Sequence, residues 1–367
     1  MGNLYRLNSL YELELKSYPN LNSFSNAALK RAEIFEYLFL FLSKPSDHVL
    51  FNSEANTVLL DYWKSQGFTF GSAYVYKDHH SARIININPI LQIDKLIEWG
   101  NTFQLEKDSL KKNNLIIKEN KFLNSKIQQT RWKIENTNTP YSIFLCTDFD
   151  AILECIPKVQ FPIVLKSEFS FSGSGNLLIS NNEDLYKNKN RIDNLFKDNL
   201  QGLILEEWKK EFIQYDFSSL YQVKNNTCNY LASTRMLIDE KGQFCGSELL
   251  SEQNDFSEMQ TNILGDFLKD QKITYSGCLS IDGFSFLENG ITRFQYFSEI
   301  NFRWSMGRIL FEIQKKLNHE NKKSSMLFLD EKSLLSFLDD DKNSQANMIY
   351  LSPELKTNGI RIVYLAE

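Results

Sequence analysis

Glu299, Asn301 and Arg303 alternate within Ser-Glu-Ile-Asn-Phe-Arg-Trp-Ser-Met-Gly, residues 298–307. Side chains on a β-strand point alternately to its two faces, so this spacing puts all three on one face. A carboxylate and an amide oxygen side by side are hard ligands of the kind Mg²⁺ takes, and a guanidinium beside them suits a phosphate or carboxylate. Metal ligands plus an anion clamp at one strand end are what chemistry on a nucleoside triphosphate needs.

Another acid, Asp282, lies in the otherwise apolar run Ser-Ile-Asp-Gly-Phe-Ser-Phe. Strands over 275–287 and 292–302, joined at Glu288-Asn289-Gly290, would bring Asp282 opposite Glu299. Like charges side by side are unfavourable, and the pairing makes sense with a cation between them. Two solvated acids on a sheet edge is the plainer reading. Upstream, the strand Phe161–Lys166 ends in a lysine and runs into Ser170-Phe-Ser-Gly-Ser-Gly175. Small residues with free backbone N–H groups can fold over phosphates that Lys166 neutralises, although for this segment alone a hairpin loop with a surface lysine is the favoured reading. This is neither a Walker A loop nor a dinucleotide fingerprint. Leu203–Trp208 is an apolar strand ending in Glu206 and Glu207; its end can meet an adenine edge or can simply be a charged terminus.

The elements that must position these groups read as a mixture of α/β and α+β. Helical periodicity over 26–43 and 54–66, with strands at His48–Phe51 and 72–76, predicts βαβ units and a parallel sheet. Helices are expected at 124–135, 148–156, 181–199, 256–270, 306–318 and 332–339, an antiparallel meander at 217–250 with a turn at Lys241-Gly242, and a hairpin near Asn358-Gly359. The Lys-rich stretch 106–121 reads as a linker or exposed hairpin. The expected division is an N-terminal open α/β domain (1–120), a two-lobed fold with a small lobe (121–200) and a large lobe (201–325), and a C-terminal extension (326–367) packing on the core.

In chain order the pieces are Lys126, Lys166 with its Gly/Ser loop, Glu206-Glu207-Trp208, Asp282, and Glu299-x-Asn301-x-Arg303 followed by Met-Gly. This order resembles the ATP-grasp superfamily over about residues 121–318, preceded by the α/β domain that usually stands before the grasp. Asp216-Phe-Ser218 is similar to the family motif after the hinge. The resemblance implies ATP as cofactor with Mg²⁺, for which Mn²⁺ could substitute. It implies Lys126 and Lys166 on the α and β phosphates, with Ser172, Gly173, Ser174 and Gly175 closing over them. Glu206, Glu207 and Trp208 would line the adenine slot. Asp282, Glu299 and Asn301 would hold metal, and Arg303 would steady the transferred phosphoryl group. Arg235, in Ser-Thr-Arg-Met, is a candidate for a substrate anion and equally an ordinary surface arginine. The loop departs from the family in carrying few glycines, in Phe169 and Phe171, and in Asn176 where a basic residue often stands.

The activity so implied is an ATP-dependent carboxylate–amine (or thiol) ligase. It would act through an acyl phosphate, release ADP and phosphate, and take an amino acid or small peptide. Two rivals stand beside it: a kinase on the same fold, and a non-catalytic ATP-binding sensor, which the glycine-poor loop keeps open. No side-chain nucleophile is required, in keeping with the lack of a Cys–His or Ser–His pattern.

Composition narrows the classes. The chain has 367 residues, 42% of them hydrophobic and 13% aromatic, enough for two or three cored domains. A net charge of −5 without a long basic run argues against nucleic acid. Cys146, Cys155, Cys228, Cys245 and Cys278 lack metal-ligand spacing, as do His48, His79, His80 and His319, and reduced thiols in a cytoplasmic protein are expected. Ile34–Leu42, the most apolar run, contains Glu36 and is too short to span a bilayer. Arg6 weakens a myristoylation motif at Gly2. Small-molecule carboxylate and amine substrates are the expected partners, with no membrane, and a homodimer is the default assembly.

Overall fold

The computed structural model describes residues 2–17, 25–76, 93–101, 117–170, 175–208, 213–238, 244–250, 255–339, 347–353 and 360–367. Contacts divide the chain into two units. One comprises Met1–Lys118, Ala232–Gln253 and Arg303–Glu367; the other comprises Glu119–Leu231 and Asn254–Phe302. The segments are thus interleaved, and residues 326–367 belong to the same unit as the N-terminal sheet.

In the first unit, β1 (Gly2–Arg6), β2 (His48–Phe51), β3 (Ser72–Val75) and β4 (Ile93–Glu98) form a parallel sheet ordered β3-β2-β1-β4. α1 (Tyr11–Ser17) and α2 (Asn26–Leu42) follow β1, and α3 (Thr57–Ser65) follows β2. Ser25 and Asn56 cap α2 and α3 by accepting from Ala28 and Leu59 N–H groups. Strand β1 escaped the sequence reading because it is short and ends in a charge. That charge, Arg6, is fully buried between Glu98 at 2.7 Å and Glu14 at 3.4 Å. The same unit contains the end of β10 (Thr227–Ile238), then β11 (Phe244–Leu249), β14 (Ser324–Leu329), β16 (Arg361–Ala366) and β15 (Asn347–Tyr350), hydrogen-bonded in that order. Their tie to the N-terminal segment is direct: Trp63 Nε1 of α3 donates to Tyr350 O at 2.7 Å. α9 (Met306–Lys316) packs on α2 and β11. Its last residue, Lys316, donates to the carbonyls of Phe41, Ser43 (3.0 Å) and Thr69 (2.8 Å), which places a cation at the C-terminal end of α2. α10 (Glu331–Asp339) completes the tail helices.

The second unit holds two sheets' worth of strands. β5 (Ile143–Cys146), β6 (Ile163–Lys166), β7 (Asn176–Ile179) and β8 (Leu203–Glu207) form an antiparallel sheet ordered β5-β8-β6-β7. Alternation sends Ile163, Leu165, Leu203 and Leu205 into a core with Ile152, Leu185 and Ile192 from α5 (Phe149–Cys155), α6 (Asn182–Lys187) and α7 (Lys189–Asp198). The opposite face therefore carries Val164, Lys166, Ile204 and Glu206. β9 (Ile213–Lys224), β12 (Gly277–Glu288) and β13 (Ile291–Asn301) stack in the order β13-β12-β9 against α8 (Asp255–Asp270). Leu264, Phe267, Leu279, Ile281, Ile300 and Phe302 are buried there. Asn289 and Gly290 take positive φ in the β12–β13 turn, as that sequence requires.

The expected turns at Lys241-Gly242 and Asn358-Gly359 lie outside the described residues, as does most of 106–121, of which 117–121 is helical. No helix among the described residues is long and apolar enough to cross a membrane.

Candidate functional site

The site builds outward from α4 (Lys126–Asn136), which Ser125 caps by accepting from Gln128 N–H. α4 packs on β5, β8 and β13. β13 is the outermost strand of its sheet among those described, and two side chains of the α4 region satisfy its free edge. Gln129 pairs with both the N–H and the C=O of Ile300, and Asn124 accepts from Phe302 N–H at 3.0 Å. This fixes the first turn of α4 beside the end of β13. Lys126 Nζ then lies 3.2 Å from Glu299 Oε2, and donates to Ser170 O at 3.0 Å and Ser170 Oγ at 2.8 Å.

Glu299 stands directly opposite Asp282 in the β12–β13 register, and Asn301 stands opposite Ser280. The register slips just after Asp282, where Gly283 allows a close approach: a Cβ there would lie 2.5 Å from Gln295 O. Asn301 Nδ2 donates to Asp282 Oδ2 at 2.8 Å, and Ser280 Oγ beside it is buried with no hydrogen-bond partner. Two carboxylates, an amide and an unpaired hydroxyl are hard-oxygen chemistry that fits Mg²⁺. Among the described residues, no group of three or more His, Cys, Asp or Glu side chains forms a metal cage. The set is of the smaller kind that phosphate oxygens and water complete.

On the other sheet, Lys166 and Glu206 share a face, and Lys166 is ion-paired with Glu206. Lys133 joins them, with Nζ 3.5 Å from Glu206 Oε1 and its ammonium over the Phe297 ring. Burial raises the Glu206 pKa, but Lys166 and Lys133 outweigh burial and hold it at about 2. Burial lowers the Lys133 pKa against the pull of Glu206. Lys133 also feels the charge of Glu299, so the lysine trio and the acid pair form one electrostatic neighbourhood.

Solved structures share this arrangement of chain. N5-carboxyaminoimidazole synthetase from Staphylococcus aureus, complexed with ADP, superposes with a TM-score of 0.57 at 12% identity, covering 100% of this chain and 92% of that one. Phosphoribosylamine–glycine ligase from Thermotoga maritima gives 0.59 at 14%, covering 99% and 92%. Biotin carboxylase from Campylobacter jejuni gives 0.59 at 12%, covering 100% and 88%. The chain has the ATP-grasp fold. In sequence it is 24% identical over 317 residues to a butirosin acyl-carrier protein–L-glutamate ligase from Niallia circulans, a match covering 83% of this chain and 73% of the relative. Two of these relatives, the phosphoribosylamine–glycine and the acyl-carrier protein–L-glutamate enzymes, are ligases by name. No protein-family model matches the chain.

Within the ATP-grasp frame, the structure brings together Lys126, Lys166, Glu206, Asp282, Glu299 and Asn301 in one unit. Ser172, Gly173 and Ser174 lie outside the described residues; Gly175, at φ +88°, accepts from Ser167 Oγ through its carbonyl. Glu206 is 4% exposed and its carboxylate is engaged by the two lysines. Glu207 accepts from Gln160 N–H at 2.9 Å, and Trp208 N–H donates to Pro162 O at 2.8 Å.

Arg303 and Arg235 fall in the other unit. Arg303 is ion-paired with Glu12 of α1 and lies over the Trp99 ring. Arg235 is exposed on β10, opposite Glu248 of β11. Sequence reasoning missed Lys133 and Gln129. Their signal was spacing: Lys133 is seven residues, about two turns, after Lys126, on the same helix face.

Proposed function

We propose that this chain is an ATP-dependent, ADP-forming ligase. It phosphorylates a substrate carboxylate to an acyl phosphate and passes the acyl group to an amine or thiol. The observation that carries the reading is Asp282 facing Glu299 across two strands, with Asn301 alongside and the Lys126 ammonium on Glu299.

In this reading Asp282, Glu299 and Asn301 hold Mg²⁺, with Mn²⁺ as a substitute, and the ion supplies charge neutralisation for the phosphate oxygens. Lys126 and Lys166 bind and orient the α and β phosphates. Glu207 and Trp208 border the adenine. Arg303 and Arg235, which belong to the other unit, are kept as candidates for the transferred phosphoryl group and a substrate anion. The substrate carboxylate attacks the γ-phosphorus, the bond to the β,γ-bridging oxygen breaks, and ADP leaves. The nucleophile then adds to the acyl carbon, loses its proton and expels phosphate. The chain's work is positioning and charge stabilisation.

The name of the Niallia relative joins L-glutamate to an acyl-carrier protein. That supports an amino acid as one substrate and keeps a carrier among the acceptors.

The test is product analysis with Mg·ATP and a pool of amino acids, small peptides and carboxylates, with amine and thiol acceptors. ADP and phosphate that appear only with the pool are expected. ADP without phosphate would mean a kinase, and AMP with pyrophosphate would overturn the mechanism.

A further inference from the structure

Lys133, Glu206 and Lys166 form a trio of two cations and one carboxylate. Its two lysines are not equivalent. The Lys133 side chain is 1% exposed, on α4, with its ammonium 5.6 Å from the Phe297 ring centroid. Lys166 is 19% exposed and is the last residue of its strand. Of the two, Lys166 can turn outward to a ligand, while Lys133 stays with Glu206.

A carboxylate as buried as Glu206 cannot be stripped of its counter-charge cheaply, because an unpaired buried ion loses its hydration without compensation. Were Lys166 its single partner, that penalty would tether Lys166 to Glu206 and oppose transfer of the lysine to a phosphate. With Lys133 present, the departure of Lys166 leaves a neutral Lys133–Glu206 pair.

We infer that Lys133 is a positioning residue for nucleotide binding: it holds Glu206 in place of Lys166 and so releases Lys166 to the phosphates. The inference rests on the reading of Lys166 as a phosphate ligand. Lys133 itself touches no substrate in this scheme. It acts through the carboxylate it shares.

The experiment titrates the full chain with Mg²⁺ and an ATP analogue whose β,γ bridge cannot be cleaved, and reads Kd by calorimetry. Lys133→Met is expected to raise Kd by about tenfold or more, because Lys166 is then the one cation left, among the described residues, on a buried carboxylate. Adding Glu206→Gln to Lys133→Met removes the tether, and Kd is expected to return to within about threefold of the wild-type value. A double variant no tighter than Lys133→Met would show that Lys133 merely packs, and would overturn the inference. So would wild-type affinity in Lys133→Met. If Lys133→Met does not fold, Glu206→Gln alone decides: it should bind at least as tightly as wild type, and a clear loss would overturn the inference. Failure of the underlying reading has another signature. A wild-type chain that does not bind the analogue, or Lys166→Ala that binds it unchanged, would remove both.

Discussion

Gln129 grips both backbone groups of Ile300. Its Oε1 accepts the Ile300 N–H at 2.9 Å, and its Nε2 donates to the Ile300 carbonyl at 2.7 Å and to the Leu123 carbonyl at 2.8 Å. One amide thus stands where the peptide of a neighbouring strand would be, and it sets α4, hence Lys126, against Glu299.

Replacing Gln129 with Leu leaves the N–H and C=O of Ile300 buried without partners. Each costs about 1–3 kcal/mol. Urea unfolding should show a loss of that order, and ADP formation should fall further than stability alone explains, since Lys126 loses its register with Glu299. A variant with undiminished stability would mean that water replaces the amide.

Glu299→Gln and Asp282→Asn are expected to lower ADP formation by about a hundredfold or more while leaving the fold intact, since each removes charge rather than volume. Near-normal turnover in both, at saturating Mg²⁺, would remove these residues from the metal set. Circular dichroism checks the fold.

Glu206 sits at about 2, below its ordinary 4.5, because the two lysines outweigh burial. A carboxyl whose folded value is depressed binds fewer protons folded than unfolded. Its stabilisation is therefore complete above pH 4.5 and is lost as pH falls towards 2. Glu206→Gln removes that contribution. The variant should be less stable at neutral pH yet lose less stability than wild type between pH 4.5 and 2, as read by denaturant midpoints. Parallel acid limbs would show that Glu206 does not bear its charge in the folded state.

Arg303 and Glu12 are ion-paired, with side chains 14% and 10% exposed. Such a pair is neither fully solvated nor fully buried. A double-mutant cycle of Arg303→Met and Glu12→Gln should give a coupling of about 1–2 kcal/mol in stability. Additive losses would mean that Arg303 is held by Trp99 instead.

The strand chemistry was legible where a local rule governs it. Period-two alternation gave the shared face of Glu299 and Asn301, and the Asn289-Gly290 turn set the register that brings Asp282 opposite Glu299. What escaped notice depends on partners far away in sequence. Lys133 meets its partner only when β8 places Glu206, 73 residues later, against it. Nor does the local sequence show that Arg303 meets Glu12, 291 residues earlier. Strand β1 contributes few residues and a terminal charge, so neither periodicity nor apolar content marks it; burial of Arg6 by two acids from elsewhere makes it tenable.

The interleaved segments bear on the order in which the molecule is made. A ribosome finishes the unit that ends at Phe302 before it has begun Arg303–Glu367, which the N-terminal unit requires. Until then Leu38, Phe39, Leu40 and Phe41, all fully buried in the finished protein, lack α9, and the carbonyl of Phe41 awaits a lysine 275 residues downstream. Synthesis therefore yields the lysine-and-acid unit first and leaves the first-made strands to mature last, so exposure to chaperones and proteases during translation falls on the N-terminal segment.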